Sequence, residues 1–462
     1  MTRETSLDQR FAEAMGQLLG PHFPTDIGLA VSGGGDSMAM LYLAHNWTRV
    51  WGVRLWVCTV DHGLRPEAAG EAAMVARECA ALGWPHATLK WTWDGQGNVM
   101  DRARQARLEL IDRWCGEVRH VLMAHTEDDV AETFVMRLAR GSGADGLAAM
   151  DATRRFSGIF PCPSLTSAEV SGVLPPSNPP GEGRALGPEG FTVVRPLLEV
   201  RRADLRHYLR ALQGPWVDDP TNDDPAYERS RVRLAGEALA SLGLDAGTLA
   251  GAARRMARVS EALAVRALQV WREHGREEMA TGDLRIARDG FAEVERETQM
   301  RVLSAALMHV SEAEYPPREA PLESLLDMLL AGGPGTLHGC EAVVEKEHIR
   351  IFREYAEVAE CRAGVEEGAL WDGRWMIRWQ EAYDGCEVRA LGHEGWVQAG
   401  EKPEGTPPYK AARSLPAVWD GMRLIACDGI GFGPQGAFSL APGGRYWTMV
   451  DRLAQKLKAN RR

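Results

Sequence analysis

Residues 27–37 read IGLAVSGGGDS, an apolar run that breaks into three glycines and then an acid and a hydroxyl at an expected helix start. Glycine takes positive φ without steric cost, so consecutive glycines let several amide N–H groups converge on one point. A helix N-terminus adds roughly half a positive charge there. Ser32, Gly33, Gly34, Gly35, Asp36 and Ser37 therefore read as a phosphate cradle between a strand and a helix. It is not the lysine-bearing loop of G-x-x-x-x-G-K-S/T spacing, because no Lys follows the glycines. Nor is it the dinucleotide fingerprint, since G-x-G-x-x-G is absent.

What surrounds the loop sets the fold class. Through residue 140 short apolar runs alternate with longer amphipathic ones, the mark of βαβ units and a parallel sheet. Strands are expected at 26–31, 53–60, 86–91 and 120–125, and helices at 37–47, 66–82, 99–116 and 128–140. Ligands of such sheets sit beyond the carboxyl ends of the strands. The polar clusters 32–37, 61–65 and 125–132 all fall there.

The fold class is thus α/β, with a parallel-sheet nucleotide-binding domain over 1–225. An insertion at 161–190 holds seven Pro and five Gly without periodicity and reads as a lid or a linker. FTVVRP at 191–196 restores a strand and leads into an Arg-rich helix. From 226 to 330 the Ala, Leu and Arg spacing predicts a helical domain. From 331 to 462 short strands with Gly turns predict a small α+β domain, among them 348–352 and the pair flanking Asp372-Gly373.

At 462 residues, 45% of them hydrophobic and 25% charged, the chain can bury two or three cores. No run of about 18 apolar residues appears, so no membrane span is expected. The charged N-terminus lacks the apolar core of a signal peptide. The eight Cys are scattered without a C-x-x-C pair, which argues against zinc or cluster spacing and suits reduced thiols in the cytoplasm. A net charge of −11 argues by itself against a nucleic-acid partner. Its distribution points the other way. Arg195, Arg201, Arg202, Arg206 and Arg210 crowd one segment, and Arg229, Arg231, Arg233, Arg254, Arg255 and Arg258 another. These basic surfaces on an acidic body are either phosphate contacts or solvated helix faces.

In HTEDDVAET at 125–133, Asp129 and Glu132 are three apart and Asp128 and Glu132 four apart. Such spacings put Cβ atoms about 5–6 Å apart on one helix face. Three acids in one turn repel each other unless a cation lies between them, although acids in a first turn also suit the helix dipole. The cation would be Mg²⁺, with Asp128 on the metal side, or an ammonium group. NVMDRARQAR at 98–107 places Arg104 and Arg107 on one face, lining a site or facing solvent. His62, after the second strand, stands where an adenosine would lie, or is a structural histidine.

SGGGDS resembles the SGGxDS loop of the PP-loop ATP pyrophosphatases, which cleave ATP to AMP and pyrophosphate while activating a carbonyl oxygen. Four further motifs follow in order: VDHGLRPEA at 60–68, HTEDDVAET continuing into RLARGSGADGLAAM at 137–150, RPLLEV at 195–200 and WVDDPTNDDPAYERSRVR at 216–233. Together they resemble the bacterial tRNA(Ile)-lysidine synthases, with a weaker echo in TLHGC at 336–340 and IRIFRE at 349–354. The insertion departs from the family's short connection before RPLL.

The resemblance implies ATP and Mg²⁺ as cofactors, and L-lysine and an isoleucine tRNA with the CAU anticodon as partners. The wobble cytidine O2 would attack the α-phosphate of ATP with loss of pyrophosphate, and the ε-amine of lysine would then attack C2 and expel AMP. By the same resemblance Asp129, Glu132 and Arg195 meet the lysine, Arg104 and Arg107 lie near nucleotide and lysine, and Asp36 serves the metal or orders the loop. Two carboxylates facing one ammonium also suit removal of its proton. Arg229, Arg231 and Arg233, with the arginines of 201–210 and 254–258, would contact tRNA phosphates. Trp216 and Tyr227 would stack on bases or pack in a core. A thiolating PP-loop enzyme is a rival, but such enzymes commonly need paired Cys. A nucleotide-binding sensor is another, and it would not need Asp129, Glu132 and Arg195. A homodimer is left open.

Overall fold

The computed structural model describes residues 5–93, 95–97, 99–156, 165–175, 190–218, 224–313, 315–378, 385–440 and 448–459. Contacts divide the chain into two units, 1–260 with 459–462, and 261–458.

The first unit is built on a seven-stranded sheet. After α1 (Leu7–Leu19) come β1 (Asp26–Ala30), α2 (Gly35–Trp51), β2 (Arg54–Asp61), α3 (Ala68–Leu82), β3 (His86–Lys90) and α4 (Val99–Cys115). There follow β4 (His120–Met123), α5 (Glu127–Ala139), α6 (Ala144–Leu147), β5 (Thr153–Phe156), β6 (Val170–Gly172) and β7 (Phe191–Val194). α7 (Arg202–Leu212), α8 (Glu228–Leu234), α9 (Gly236–Ser241) and the part of α10 (Ala246–His274) through residue 260 complete it. The strand order is β5-β7-β4-β1-β2-β3-β6. The five inner strands run parallel, and β5 and β6 close the edges antiparallel. Every strand and helix expected through residue 140 is present. α2 runs on to Trp51, where Gly52 at φ 68° lets the chain leave the helix.

Both faces of the sheet are buried, as a parallel sheet requires. Ile27 and Leu29 pack with Met38 and Leu41 of α2 and Val75 of α3 on one face. Val121 packs with Ile111 and Trp114 of α4 on the other. Gly28 permits that second contact, because a Cβ there would lie 3.1 Å from Val121 and 3.2 Å from Trp114. Burying a Trp removes about 150–250 Å² from water, worth about 4–6 kcal/mol. The apolar alternation of β1 thus fixes the strand end from which the glycine loop departs.

The insertion differs from the expectation of 161–190 as an unstructured lid or linker. Its described part lays β6 on β3, with Ala87 opposite Gly172. Glu169 accepts two hydrogen bonds from Arg113 of α4, at 2.6 and 2.7 Å. Leu165, Val170 and Leu174 pack on the core beside Trp114. A three-residue strand shows no alternation, so its sequence carries no period to read.

In the second unit, β8 (Gly275–Glu278), β9 (Asp283–Ala287), α11 (Arg288–Ala292), α12 (Arg296–Ser311) and α13 (Glu319–Leu330) precede β10 (Gly335–Leu337), β11 (Cys340–Glu345) and β12 (His348–Arg353). The strands form one antiparallel sheet in the order β10-β11-β12-β9-β8. The segment expected as helical to 330 therefore also holds two strands, and contacts divide the chain at 260, not near 225. β9 escaped local reading because it is fixed by long-range pairing, Ile286 with Ile349, and β8 joins the sheet through its hairpin with β9. Further on, Leu370–Trp371 pairs with Trp375–Ile377 around Asp372 and Gly373, whose φ values of 50° and 64° suit a tight hairpin turn. Among the described residues no helix is long and apolar enough to cross a membrane.

Candidate functional site

The loop between β1 and α2 is ordered by its own hydroxyls. Ser37 Oγ donates to Gly34 O at 2.9 Å, accepts from Ser32 N–H at 3.1 Å and lies 3.2 Å from Ser32 Oγ. Gly33 takes φ 90°, and Gly34 sits at the helix N-cap, where no side chain caps α2. The amides of the first turn thus lack a capping side chain, at the loop where Ser32, Gly33, Gly34, Gly35 and Ser37 are expected to cradle a phosphate. Val217 N–H donates to Gly33 O at 3.0 Å, and Trp216 packs beside Gly35, half-buried. Trp216 therefore walls the loop, while Tyr227 is exposed.

α5 begins at the neighbouring sheet end with a capping box: Thr126 accepts from Asp129 N–H, and Asp129 Oδ2 accepts from Thr126 N–H at 2.9 Å and Oγ1 at 2.8 Å. The box explains why Asp129 is buried at a helix start. The acids do gather, and the cation among them belongs to the chain itself. Arg202 Nε donates to Asp36 Oδ2 at 3.0 Å and Nη1 to Glu132 Oε1 at 3.0 Å, while Nη2 lies 3.4 Å from Asp129 Oδ1. Glu132 also receives Arg233 Nε at 2.7 Å and has Arg229 Nε at 3.3 Å. Asp128, expected beside a metal, accepts from the Arg202 backbone N–H at 2.7 Å and so caps α7.

Electrostatics follow from this packing. Burial raises the Asp36 carboxyl by more than Arg202 lowers it, so its net shift is upward. For Asp129 burial also pushes up, but Arg202 and Thr126 outweigh it and the net shift is down. Arg202 is held above its ordinary value against burial by Asp129, Glu132 and Asp36.

The other expected residues form a cationic wall. Burial and Arg154 push Arg195 down to about 10, and Arg195 Nη1 donates to the Asp151 carbonyl at 2.6 Å. Arg107 is lowered by burial and then by the charges of Arg104 and Arg229. Burial and Arg107 hold His62 at about 4, so it is neutral at pH 7, edge-on to Trp91 at 5.9 Å. Arg104 and Arg231 are exposed. Arg231 donates to the Pro225 and Ala226 carbonyls at 3.0 and 3.2 Å. Arg254, read as a phosphate contact, lies 3.3 Å from Glu127. Asn98 and residues 219–223 of the motifs lie outside the described residues.

Sequence reasoning missed the role of Arg202, which it grouped with the outward arginines of 201–210. A signal existed: Arg202, Leu205 and Leu209 share one helix face, and both leucines are buried. An arginine in phase with buried leucines must find partners.

A sequence model described as the PP-loop domain matches residues 7–173 and 181–236. The tRNA(Ile)-lysidine synthase of Ruegeria pomeroyi is 39% identical over 87% of this chain and 88% of its own length. That of Bradyrhizobium diazoefficiens is 38% identical over 66% of this chain and 79% of its own. A solved U34-tRNA thiolase from Methanococcus maripaludis aligns with 54% of this chain and 78% of its own at 14% identity and a TM-score of 0.38. With a PP-loop cradle beside an acid cluster, and with such relatives matched over most of their length, this chain belongs to the tRNA(Ile)-lysidine synthase family.

Proposed function

We propose that the chain ligates L-lysine to C2 of the wobble cytidine of an isoleucine tRNA with the CAU anticodon, consuming ATP and releasing AMP and pyrophosphate. The observation that carries this reading is the juxtaposition of the Ser32–Gly35 loop with Asp129 and Glu132 through Asp36 and Arg202. A cytoplasmic enzyme is the setting its tRNA, lysine and ATP require.

In the first step the cytidine O2 attacks the α-phosphate of ATP, and the bond to pyrophosphate breaks. The amides of Gly33, Gly34 and Gly35 and the hydroxyls of Ser32 and Ser37 stabilise the charge that develops on the leaving group. Asp36 Oδ1 is buried and makes no hydrogen bond, which fits a carboxylate that shares a nucleotide-bound Mg²⁺. Asp128 has one oxygen already committed, and among the described residues no group of three acids, His or Cys is placed to hold a metal alone. Bound Mg²⁺ would supply charge neutralisation on the phosphates.

In the second step the lysine ammonium, held by Asp129 and Glu132, gives up a proton, and the free amine attacks C2 while AMP departs. The wall of Arg104, Arg107 and Arg195 suits the anionic groups of the substrates, the lysine carboxylate and the phosphate of the departing AMP. Helices α8 to α10 offer Arg231, Arg255 and Arg258 at the surface as tRNA phosphate contacts. Each neutralised phosphate would add about −0.7 to −0.9 to the salt slope of binding.

The test is transfer of labelled lysine to unmodified isoleucine tRNA with ATP and Mg²⁺, followed by mild alkali. Label that survives in the anticodon is a C–N bond and supports the reading. Label lost to alkali would be an ester at the tRNA end, and absence of label with ATP-binding protein would favour a nucleotide sensor.

A further inference from the structure

We infer that Arg202 is a positioning residue of the ligation: its guanidinium fixes the spacing between the nucleotide cradle at Asp36 and the acid pair Asp129 and Glu132. The inference rests on the reading of that site proposed above.

Nitrogens of one planar fork reach three carboxylates, Asp36 at 3.0 Å, Glu132 at 3.0 Å and Asp129 at 3.4 Å. Those carboxylates come from two helices, α2 and α5, and Asp36 stands 93 positions before Asp129 in the chain. Arg202 is anchored at its other end as well, because its backbone N–H donates to Asp128 Oδ2 at 2.7 Å. Its side chain is 18% exposed, against 43% for Arg206 one turn later, which pairs with Asp218.

The chemistry makes this spacing matter. The base is adenylated over the cradle, and the amine that attacks it leaves from the acid pair. The distance between the two therefore sets the line of attack. Misplacement by 1 Å in such a geometry costs about 100-fold in rate. Asp36, Asp129 and Glu132 would also repel one another without a cation between them. A lysine at 202 would keep the charge but lose the fork, since an ammonium is a compact point charge that cannot hold three carboxylates in one plane.

The experiment uses the full chain with isoleucine tRNA, ATP, Mg²⁺ and lysine, comparing wild type, Arg202→Lys, Arg202→Gln and the control Arg54→Gln, an exposed arginine paired with Asp26 at the opposite end of the sheet. Melting curves report folding, pyrophosphate release without lysine reports adenylation, and lysine incorporation reports transfer. For Arg202→Lys the expected result is a melting temperature near wild type, KM for ATP and lysine within about threefold, and kcat for transfer about 100-fold lower. Arg54→Gln should match wild type. If Arg202→Lys does not fold, Arg202→Gln, which keeps hydrogen-bonding capacity, is read in the same way. Wild-type kcat in a folded variant at 202, or a loss that only follows the folded fraction, overturns the inference. A wild-type chain that makes no lysidine overturns the proposed function, and the inference with it.

Discussion

Glu132→Gln tests the centre of the site with one atom changed. The Glu132 side chain is 7% exposed and meets Arg202 Nη1 at 3.0 Å, Arg233 Nε at 2.7 Å and Nη2 at 3.3 Å, and Arg229 Nε at 3.3 Å. Whichever way the amide turns, one NH₂ group faces guanidinium where an oxygen stood. A charge-assisted hydrogen bond is worth about 1.5–3 kcal/mol net. Arg229 and Arg233 are 40% and 26% exposed, so solvent screens part of the loss. A cost of about 2–3 kcal/mol to the first unit follows, or a drop of about 4–12 °C in its melting temperature. The lysine ammonium loses a charged partner of the same worth, which lowers kcat/KM for lysine by about 10–100-fold and leaves the KM for ATP unchanged. Calorimetry and lysine-dependent incorporation read the two effects separately. A variant with wild-type melting and wild-type lysine kinetics would refute both the ion-pair reading and the lysine site.

Three other perturbations reach different levels of the argument. Gly33→Ala forces a methyl-bearing residue to φ 90°, a strain of about 1–3 kcal/mol in the loop; ATP titration should show weaker binding, and unchanged affinity would mean that these amides do not carry the phosphates. His62, His86 and His125 are each held at about 4, first by burial, so they are neutral in the folded chain and protonate below about 6.5 when unfolded. Stability should therefore be full above pH about 6.5 and fall steadily toward pH 4, and a flat melting profile over that range would contradict their burial. Glu169 is lowered to about 2, first by its hydrogen bonds from Arg113, so Glu169→Gln should loosen β6 and speed proteolytic cleavage within the insertion. Cleavage at the wild-type rate would show that the pair does not hold the strap.

Much of the first unit was legible because its elements are long enough to show a period. β1 and β2 alternate between apolar runs, and α2 to α5 each carry an apolar stripe, so the sheet ends and their polar loops fell where expected. Asp372-Gly373 was legible for a local reason, since both residues tolerate positive φ. β6, β8 and β9 were not. Each is three to five residues long; β6 and β9 pair with distant chain, Val170 with Leu89 and Ile286 with Ile349, and β8 joins the sheet through its hairpin with β9. Nothing within such a segment reports its partner.

The site divides along the same line. The three acids near the start of α5 announced that a cation must lie among them, and that inference needs only Coulomb repulsion within one turn. Which cation fills the place is a tertiary fact. Charge counting assigns the arginines of 201–210 to one basic surface, yet α7 is a helix with buried leucines at 205 and 209, and its phase separates them. Arg202 turns inward with those leucines, while Arg201 and Arg206 stay 53% and 43% exposed. A basic run on an amphipathic helix therefore holds two populations, and the one in phase with the core is the one that meets buried acids. The acid cluster of this chain is more than a place for a cation to enter. It is a set of carboxylates already fixed in place by an internal guanidinium, and a substrate ammonium must bind within that fixed arrangement.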